Sequence, residues 1–450
     1  MRPGQPDYLL LVGTAMLIIA GLLAVYSSSF SVGYHLYDDA NFFIARQAVF
    51  ALVGVGVMVI FMRMDYNRLR ALSVPMLGLA LLGLILVLVP GIGGERNGAS
   101  RWLEFGPVSV QPSEWAKLAI IVYVSAWLAS RGQDINKFSL GFVPFVMLLS
   151  IVGGLIVAEP DMGTTIIVVL TASTLFFVAG APLSHLGLML AAGGLVSYLV
   201  INQRDYQMDR LMSWVDPGAD PQGNGFQIIQ LLIALGSGGP FGLGIGESRQ
   251  AAFYVPGSHT DGVLAIVGEE LGFIGLMGVL GLFVFFIYRG IKVTIQAPDR
   301  FGTLVGIGII SWIGFQTLIN LGGITRTIPL TGVPVPFLSY GGSSLIAIMA
   351  AVGVLLSISR YSKEQAQPYQ ARPQSRTPGN GRKRAAHPRP VTGQCCAPGN
   401  TDTQAEDNGG RSRDGAQPAP NCQIPISVRN GRTIRCRASS LPIIQPQLAL

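Results

Sequence analysis

The residues best suited to acid–base chemistry lie in residues 254–275, YVPGSHTDGVLAIVGEELGFIG. Asp261 stands where a polar stretch rich in glycine and proline gives way to a long apolar run, and Glu269 and Glu270 lie inside that run. Carboxylates within lipid-facing sequence are costly and are functional candidates by default. A general base needs an ionised carboxylate within hydrogen-bond reach of a hydroxyl, and partial burial can raise its pKa toward a useful range.

A structural role for Asp261 fits the same spacing. Ser258 and Asp261 are three residues apart after a turn dipeptide, as in a helix capping box, and the helix dipole would then keep the carboxylate ionised. The spacing alone leaves capping and catalysis equally open. His259, between them, is more typical of a packing or hydrogen-bonding residue.

A second group of ionisable residues lies in residues 101–117, RWLEFGPVSVQPSEWAK. Ser113 is predicted to be a helix N-cap, with Glu114 in the first turn. Glu114 and Lys117, at i and i+3, can form an ion pair just inside the membrane. Anchoring of this helix and a ligand-binding role both fit the pattern.

Two further polar segments interrupt apolar sequence. In residues 159–165, EPDMGTT, the pattern favours a helix-breaking turn, while Glu159 and Asp161 could together bind a divalent cation. Residues 322–344 contain three prolines, which exclude a regular helix and predict irregular backbone facing a cavity or water. There, Arg326 can meet a phosphate through its planar donors, and the step after Ser339 can present backbone N–H groups to an anion.

Composition sets the class of protein that must position these residues. Half of the chain is hydrophobic and only 12% is charged, whereas soluble domains carry about 25% charged residues. We therefore expect an all-α polytopic membrane protein rather than a soluble enzyme. Spans of about 17–25 residues are predicted at ten places: 8–27, 42–62, 71–90, 114–130, 139–158, 163–180, 185–203, 262–288, 303–322 and 341–359.

The longest predicted loop, residues 202–260, joins spans seven and eight. Such a length in a compact protein is usually functional. Its apolar run at 225–236 is too short to span and indicates an interfacial or re-entrant helix.

Basic residues in the short loops place both termini in the cytoplasm and Asp261 on the outer face. Several arginines nevertheless fall on the outer side, where this rule disfavours them. An anionic substrate would explain them, as would pairing with nearby acids. These arginines are Arg96, Arg101, Arg204, Arg210, Arg249 and Arg326.

The chain divides into a membrane domain, residues 1–360, and a basic tail, residues 361–450, whose composition predicts disorder. Beside a membrane, a solvated linker or contact with anionic lipid is favoured for the tail over nucleic acid. The four cysteines all lie in the tail without C-x-x-C spacing, so neither a zinc site nor a disulfide framework is implied.

Five blocks in order, over nearly all of residues 8–360, resemble the bacterial shape, elongation, division and sporulation (SEDS) family, most closely its division branch. The blocks are RWLEFGPVSVQPSEWAKLA, EPDMGTT, DPQGNGFQIIQLLIALGSGGPFGLGIGES, VPGSHTD followed by GEELGFIG, and PLTGVPVPFLSYGGSSL. The resemblance implies a peptidoglycan glycosyltransferase of the bacterial cytoplasmic membrane that polymerises lipid II and releases undecaprenyl pyrophosphate. The family's essential aspartate corresponds to Asp261, although Gly257 and Gly262 depart from the common wording around it.

The resemblance also suggests roles for the other candidates. Asp261 would be the general base, and the leaving pyrophosphate would need cationic stabilisation, from arginine, lysine or a divalent cation such as Mg²⁺ or Mn²⁺. The substrate-binding candidates are Arg101, Glu114, Lys117, Asp161, Arg210, His259, Arg326 and Ser339. Expected partners are a class B penicillin-binding protein and other division proteins. The alternatives are a lipid II flippase, an elongation polymerase and a non-enzymatic division scaffold.

Overall fold

The computed structural model describes residues 4–96, 99–106, 108–203, 205–223, 225–253, 255 and 257–362. The predicted tail beyond residue 362, with its cysteines, and Arg204 lie outside these residues. Thirteen α-helices and three strands occur in the described part of the chain. In order they are α1 Tyr8–Tyr37, α2 Phe42–Arg63, α3 Tyr66–Leu88, β1 Gly93–Arg96, β2 Ala99–Phe105, β3 Val108–Val110, α4 Pro112–Arg131, α5 Val143–Ala158, α6 Met162–Val178, α7 Leu183–Gln203, α8 Asp205–Val215, α9 Phe226–Ser237, α10 Arg249–Phe253, α11 Val263–Ile295, α12 Arg300–Ile324 and α13 Gly342–Arg360.

The chain is a mostly helical polytopic membrane protein, as the composition predicts. Seven helices within the described ranges are long and apolar enough to cross a membrane by length and composition: α1, α2, α3, α11, α12, α13 and the segment Phe138–Ala158 that contains α5. The other three predicted spans correspond to α4 and to the apolar helices α6 and α7. The predicted end of the first span is wrong, since α1 continues to Tyr37.

Loops predicted to share one side of the membrane do meet in the structure. At one end of the bundle, Arg289 forms an ion pair with Asp7 (2.5 Å), and Tyr66 donates a hydrogen bond to Asp299 (2.5 Å). At the other end lie the strands, the α5–α6 turn, α8–α10 and residues 325–341, which we call the site end. There, Ser343 donates to the Ser109 carbonyl (3.1 Å).

The Gly-Gly pair and two prolines of residues 92–113 predict an irregular segment before α4. The structure instead has a three-stranded antiparallel sheet there, in the order β1-β2-β3. Leu103 of β2 pairs with Gly93 on one side and Val110 on the other. Gly106 turns the chain between β2 and β3 at a φ of 63°, which glycine adopts without strain. The predicted N-cap is also wrong, because α4 begins at Pro112 with Gln111 as its N-cap, and proline suits the first helical position.

Helices α12 and α13 form the centre of the bundle, since 67% and 83% of their apolar stretches are buried, against 22–39% for the other five spanning candidates. Both helices are apolar around their whole circumference, as helices surrounded by other helices must be. Polar side chains on α12 therefore face other protein groups rather than lipid. Two of them, Gln316 and Asn320, reach the site end.

Candidate functional site

Asp261 lies in the turn that precedes α11 and does not cap it. The N-cap of α11 is Gly262, with no side-chain capping bond. Ser258 donates its hydroxyl to the Ser28 carbonyl of α1 (3.1 Å) instead of to the start of α11. The capping-box interpretation is therefore wrong, and the Asp261 carboxylate remains available for other contacts.

The half-buried Asp261 carboxylate has two neutral hydrogen-bond donors. Thr260 Oγ1 lies 3.1 Å from Oδ1, and Gln227 Nε2 of α9 lies 3.4 Å from Oδ2. Removal of the carboxylate from solvent raises the pKa of Asp261, and the Thr260 hydrogen bond, the Arg210 charge and the Gln227 hydrogen bond oppose that rise. A carboxylate with a raised pKa is a stronger proton acceptor than an exposed one.

Arg210 of α8 is the cation next to this carboxylate. A methyl group on Gly332 would lie 3.6 Å from Arg210 Nη2 and 3.7 Å from Asp261 Oδ2. The two charged groups thus lie close together on the side of Gly332 where a side chain would project. Arg210 Nη1 also donates to the Leu330 carbonyl (3.1 Å), which holds the guanidinium against residues 330–332.

Gly257 is one of the two positions at which this chain departs from the family's common sequence around the aspartate. Its φ is 68°, and a Cβ there would lie 2.6 Å from Asp261 Oδ1 and 2.8 Å from Thr260 Oγ1. In this chain the backbone packs where a side chain would push the carboxylate away. A side chain at position 257 would therefore force the Asp261 and Thr260 side chains to move.

We expect Gly257→Ala to reduce activity more than stability. A left-handed φ costs an L-residue about 1–2 kcal/mol, and the new methyl would also displace the Asp261 carboxylate. Gly106→Ala is the matched control, because Gly106 has a similar φ of 63° with open space around its Cβ. Thermal unfolding and glycan polymerisation should be measured on both variants. Equal activity per folded molecule would contradict the steric argument.

His259 and Ser339 take structural positions at the site end. The His259 ring packs between Phe43 and Tyr340, with centroids 4.6 and 5.7 Å away. Burial lowers the pKa of His259 to about 4, so its imidazole is neutral at pH 7. Ser339 is buried, and its Oγ accepts from the Val335 N–H (2.7 Å).

Glu114 and Lys117 form a buried ion pair between α4 and α12. Lys117 Nζ donates to Glu114 Oε1 (2.9 Å) and to Gln316 Oε1 (3.0 Å), and it lies 4.9 Å from the Trp312 ring centroid. Both charged side chains are 2% exposed. Gln316 in turn donates to the Pro334 carbonyl (2.8 Å). The side chain of Gln316 therefore connects the buried ion pair to residues 325–341.

Arg101, Glu159 and Asp161 meet at the α5–α6 turn. Arg101 on β2 donates to the Glu159 carbonyl (3.0 Å) and to the Pro160 carbonyl. These hydrogen bonds cap the C-terminal end of α5. Asp161 is the N-cap of α6 and accepts from the Thr164 N–H (3.0 Å). These contacts match the predicted structural turn.

Glu159 is fully buried, and neither carboxyl oxygen has a hydrogen-bond partner among the described residues. Burial and the nearby Asp161 charge raise the pKa of Glu159 to about 8, against the lowering effect of Arg101. The Glu159 carboxyl is therefore protonated at neutral pH in the folded protein, whereas it would be ionised in an unfolded chain.

We expect this proton to make stability fall as pH rises. Because the folded pKa of about 8 lies above the ordinary glutamate value of 4.5, the contribution to stability is complete below about pH 4.5 and is lost as pH rises toward 8. Glu159→Gln should flatten the dependence of the unfolding temperature on pH between 5 and 8.5. The exposed Glu247, changed to glutamine, is the control and should retain the wild-type slope. Parallel curves for wild type and Glu159→Gln would refute the assignment.

The Arg326 guanidinium caps the end of a helix and does not present its planar donors to a phosphate. Its Nε and Nη2 donate to the Trp214 and Val215 carbonyls at the end of α8 (2.9 and 2.8 Å), and Trp214 Nε1 donates back to the Arg326 carbonyl (3.1 Å). Arg326 thus fixes the helix that carries Arg210.

Glu269 and Glu270 hold a glycine-rich loop against a break in α11, where Gly272 has a φ of 68°. Glu269 accepts from Ser248 Oγ and Glu270 accepts from Ser27 Oγ, both at 2.5 Å. The Leu243 N–H also donates to the Glu269 carbonyl (3.0 Å). These hydrogen bonds give both carboxylates a structural role, which is to hold the loop against α11.

Of the sequence-predicted residues, the structure brings Arg210 close to Asp261, while the His259 ring packs against Phe43 and Tyr340. Arg101, Lys117 and Arg326 direct donors to backbone carbonyls or buried groups. Sequence reasoning missed Gln227 and Asn320 as neighbours of Asp261. The sequence feature that could have identified them is a polar amide side chain within an otherwise apolar helix, which is Gln227 in α9 and Asn320 in α12.

No cluster of three or more His, Cys, Asp or Glu side chains that could hold a metal ion occurs in the part of the chain that the structure describes. A divalent cation at the site would need other oxygen ligands, such as those of a bound pyrophosphate, because Mg²⁺ commonly binds through one or two carboxylates plus phosphates.

Comparison with known proteins gives consistent matches. A family model described as cell cycle protein, FTSW_RODA_SPOVE, matches residues 8–364. Stage V sporulation protein E of Bacillus subtilis is 44% identical over 360 residues, covering 80% of this chain and 98% of that protein. The probable peptidoglycan glycosyltransferase FtsW of Geobacter metallireducens is 38% identical over 358 residues, covering 79% and 95%.

Two solved structures share the fold. The rod shape determining protein RodA of Thermus thermophilus has a TM-score of 0.59 at 28% identity, covering 79% of this chain and 98% of RodA. A chain from a structure on the coordination of polymerization and crosslinking by a peptidoglycan synthase complex has a TM-score of 0.67 at 31% identity, covering 80% and 99%. A sporulation protein, a probable peptidoglycan glycosyltransferase and a rod shape determining protein are thus all similar to this chain.

Proposed function

We propose, since this chain belongs to the FtsW, RodA and SpoVE family of cell cycle proteins, that it is a peptidoglycan glycosyltransferase. It polymerises lipid II at the outer face of the bacterial cytoplasmic membrane, and its role is septal synthesis during division. Relatives named as probable peptidoglycan glycosyltransferases support the activity. The basic short loops support the orientation, with the site end outside and both termini in the cytoplasm.

The observation that carries this proposal is that Asp261 and Arg210 both lie within 4 Å of the position that a Cβ on Gly332 would occupy. The Asp261 carboxylate accepts the proton of the GlcNAc 4-hydroxyl of one lipid-linked chain. The hydroxyl oxygen forms a bond to the MurNAc anomeric carbon of the other chain. The bond from that carbon to pyrophosphate oxygen breaks, and undecaprenyl pyrophosphate leaves with the electron pair.

Arg210 supplies the positive charge that this step needs. Charge develops on the pyrophosphate as its bond to the sugar breaks, and a pre-positioned cation stabilises such charge in a site shielded from water. Residues 330–332 fix the Arg210 guanidinium through the Leu330 carbonyl. The chain therefore offers a proton acceptor and an anion-stabilising group on one small surface.

The decisive experiment is polymerisation of lipid II by the purified protein in detergent, with and without Mg²⁺ or Mn²⁺. Detergent removes any need for transport, so a gel ladder of glycan strands supports the enzyme over a flippase. The absence of strands, even with the partner protein present, would favour a division scaffold and refute the proposal.

A class B penicillin-binding protein is the proposed partner, together with other division proteins. The similar chain from a peptidoglycan synthase complex supports a crosslinking partner. Similarity to RodA keeps an elongation role as the second candidate. Depletion of the protein in cells distinguishes the two, since loss of a division polymerase gives filaments and loss of an elongation polymerase gives rounded cells.

A further inference from the structure

Asn320 is a buried amide near the site end of α12, only 2% exposed. Its Nδ2 donates to the backbone carbonyl of Asp261 and to that of Val333, both at 2.8 Å. One side chain therefore joins the central helix, the turn that carries Asp261 and residues 325–341.

The orientation of this amide is fixed by its partners. An asparagine amide has two N–H hydrogens, and here two carbonyl oxygens accept them. A flipped amide would place Oδ1 against both carbonyls, which is unfavourable. Oδ1 itself has no hydrogen-bond partner in the described part of the chain. The contribution of the Asn320 side chain therefore comes from its two N–H donors.

Both charged groups of the site depend on the two carbonyls that Asn320 binds. One is the carbonyl of Asp261 itself. The other belongs to Val333, which follows Gly332, and the Leu330 carbonyl two residues before Gly332 binds Arg210 (3.1 Å). A shift of either carbonyl would change the position of the carboxylate or of the guanidinium.

The helix that carries Asn320 is suited to act as a template. One turn earlier on the same face, Gln316 donates to the Pro334 carbonyl (2.8 Å), so two successive carbonyls of the irregular segment are bound by amides of α12. A site held on a rigid, buried helix is positioned more precisely than one held on loops alone.

We propose that Asn320 is a positioning residue that sets the separation between the Asp261 carboxylate and the Arg210 guanidinium. The inference rests on the proposed glycosyltransferase function, for which Asp261 is the base. Asn320 acts through its two carbonyl contacts and does not touch the substrate in this role.

The test compares Asn320→Leu and Asn320→Ser with wild type. Leucine is close to asparagine in size and shape, removes both donors and adds no charge, and serine keeps a single, shorter donor should the leucine variant fail to fold. Thr317→Val is the matched control, because Thr317 is 5% exposed on the same helix and its hydroxyl, among the described residues, donates only to the Ile313 carbonyl of α12 (2.8 Å). We expect kcat to fall about 10²-fold, as for a misplacement of about 1 Å, with KM nearly unchanged.

Two readouts separate positioning from general loss of structure. Arg210 is the charged side chain that lowers the pKa of Asp261, so a displaced Arg210 should move the acidic limb of the pH–rate profile to higher pH. In a double-mutant cycle, Asn320→Ser and Arg210→Ala should lose less activity together than the product of their separate losses, because both act on the same pair.

An unchanged pH profile with independent losses in the cycle would overturn the inference, as would wild-type kcat in both Asn320 variants. Thr317→Val should match wild type in kcat and pH profile, and an equal change there would also overturn it. These outcomes differ from failure of the proposed function, in which the wild-type protein itself forms no strands from lipid II.

Discussion

Asp261→Asn is expected to reduce lipid II polymerisation about 10²–10⁴-fold, the usual contribution of a general base. Asparagine has the same shape and can keep the contacts with Thr260 and Gln227, but it cannot accept the hydroxyl proton. The loss should therefore appear in kcat while the protein remains folded. Strand formation by purified wild type and variant, measured on gels over time, gives both rates.

The control for this prediction is Asp216→Asn, an exposed acid whose carboxylate accepts from the Gly218 N–H (3.0 Å) and which should retain wild-type activity. The pH dependence gives a second check. Because burial raises the pKa of Asp261 and the ionised form is the base, wild-type activity should fall as pH drops through that raised pKa. Polymerisation by Asp261→Asn at the wild-type rate would remove this carboxylate from the chemistry.

Lys117→Met should destabilise the protein by about 3–5 kcal/mol, the cost of breaking a buried ion pair. Removal of the ammonium leaves Glu114 in the bundle without its charge partner, and Glu114 is only 1% exposed. Gln316 would lose the same ammonium (3.0 Å), so residues 325–341 should also be held less firmly. Unfolding in detergent and the yield of folded protein measure the effect.

The double variant Glu114→Gln with Lys117→Met distinguishes loss of the pair from loss of packing. Without charge at either position, no uncompensated ion remains, and much of the wild-type stability should return. Arg68→Met, which removes an exposed basic residue from the first turn of α3, should leave stability nearly unchanged. A double variant as unstable as Lys117→Met would contradict the argument from charge.

The sequence could predict features that depend on residues close together in the chain. Apolar stretches long enough to cross a bilayer located the helices, because lipid requires their length and composition. The i, i+3 spacing of Glu114 and Lys117 predicted their ion pair for the same local reason. The step from polar to apolar sequence at Asp261 likewise placed its carboxylate at a helix start.

Local patterns failed where a distant partner decided the outcome. The spacing of Ser258 and Asp261 fits a capping box, yet Ser258 bonds to Ser28 of α1. Arg326 looked available for phosphate, but the end of α8 takes its donors. Residues 92–113 were expected to be irregular, whereas pairing between β1, β2 and β3 forms a sheet there.

By itself, the sequence determined that the chain crosses a membrane many times and which acids and arginines are candidates for chemistry, because composition and spacing are local properties. Only the tertiary structure decided which candidates meet. Asp261, Gln227, Arg210 and Asn320 come from four separate segments, and their proximity depends on how α8, α9, α11 and α12 pack. Hydrogen bonds between such distant residues leave no periodic trace in the sequence.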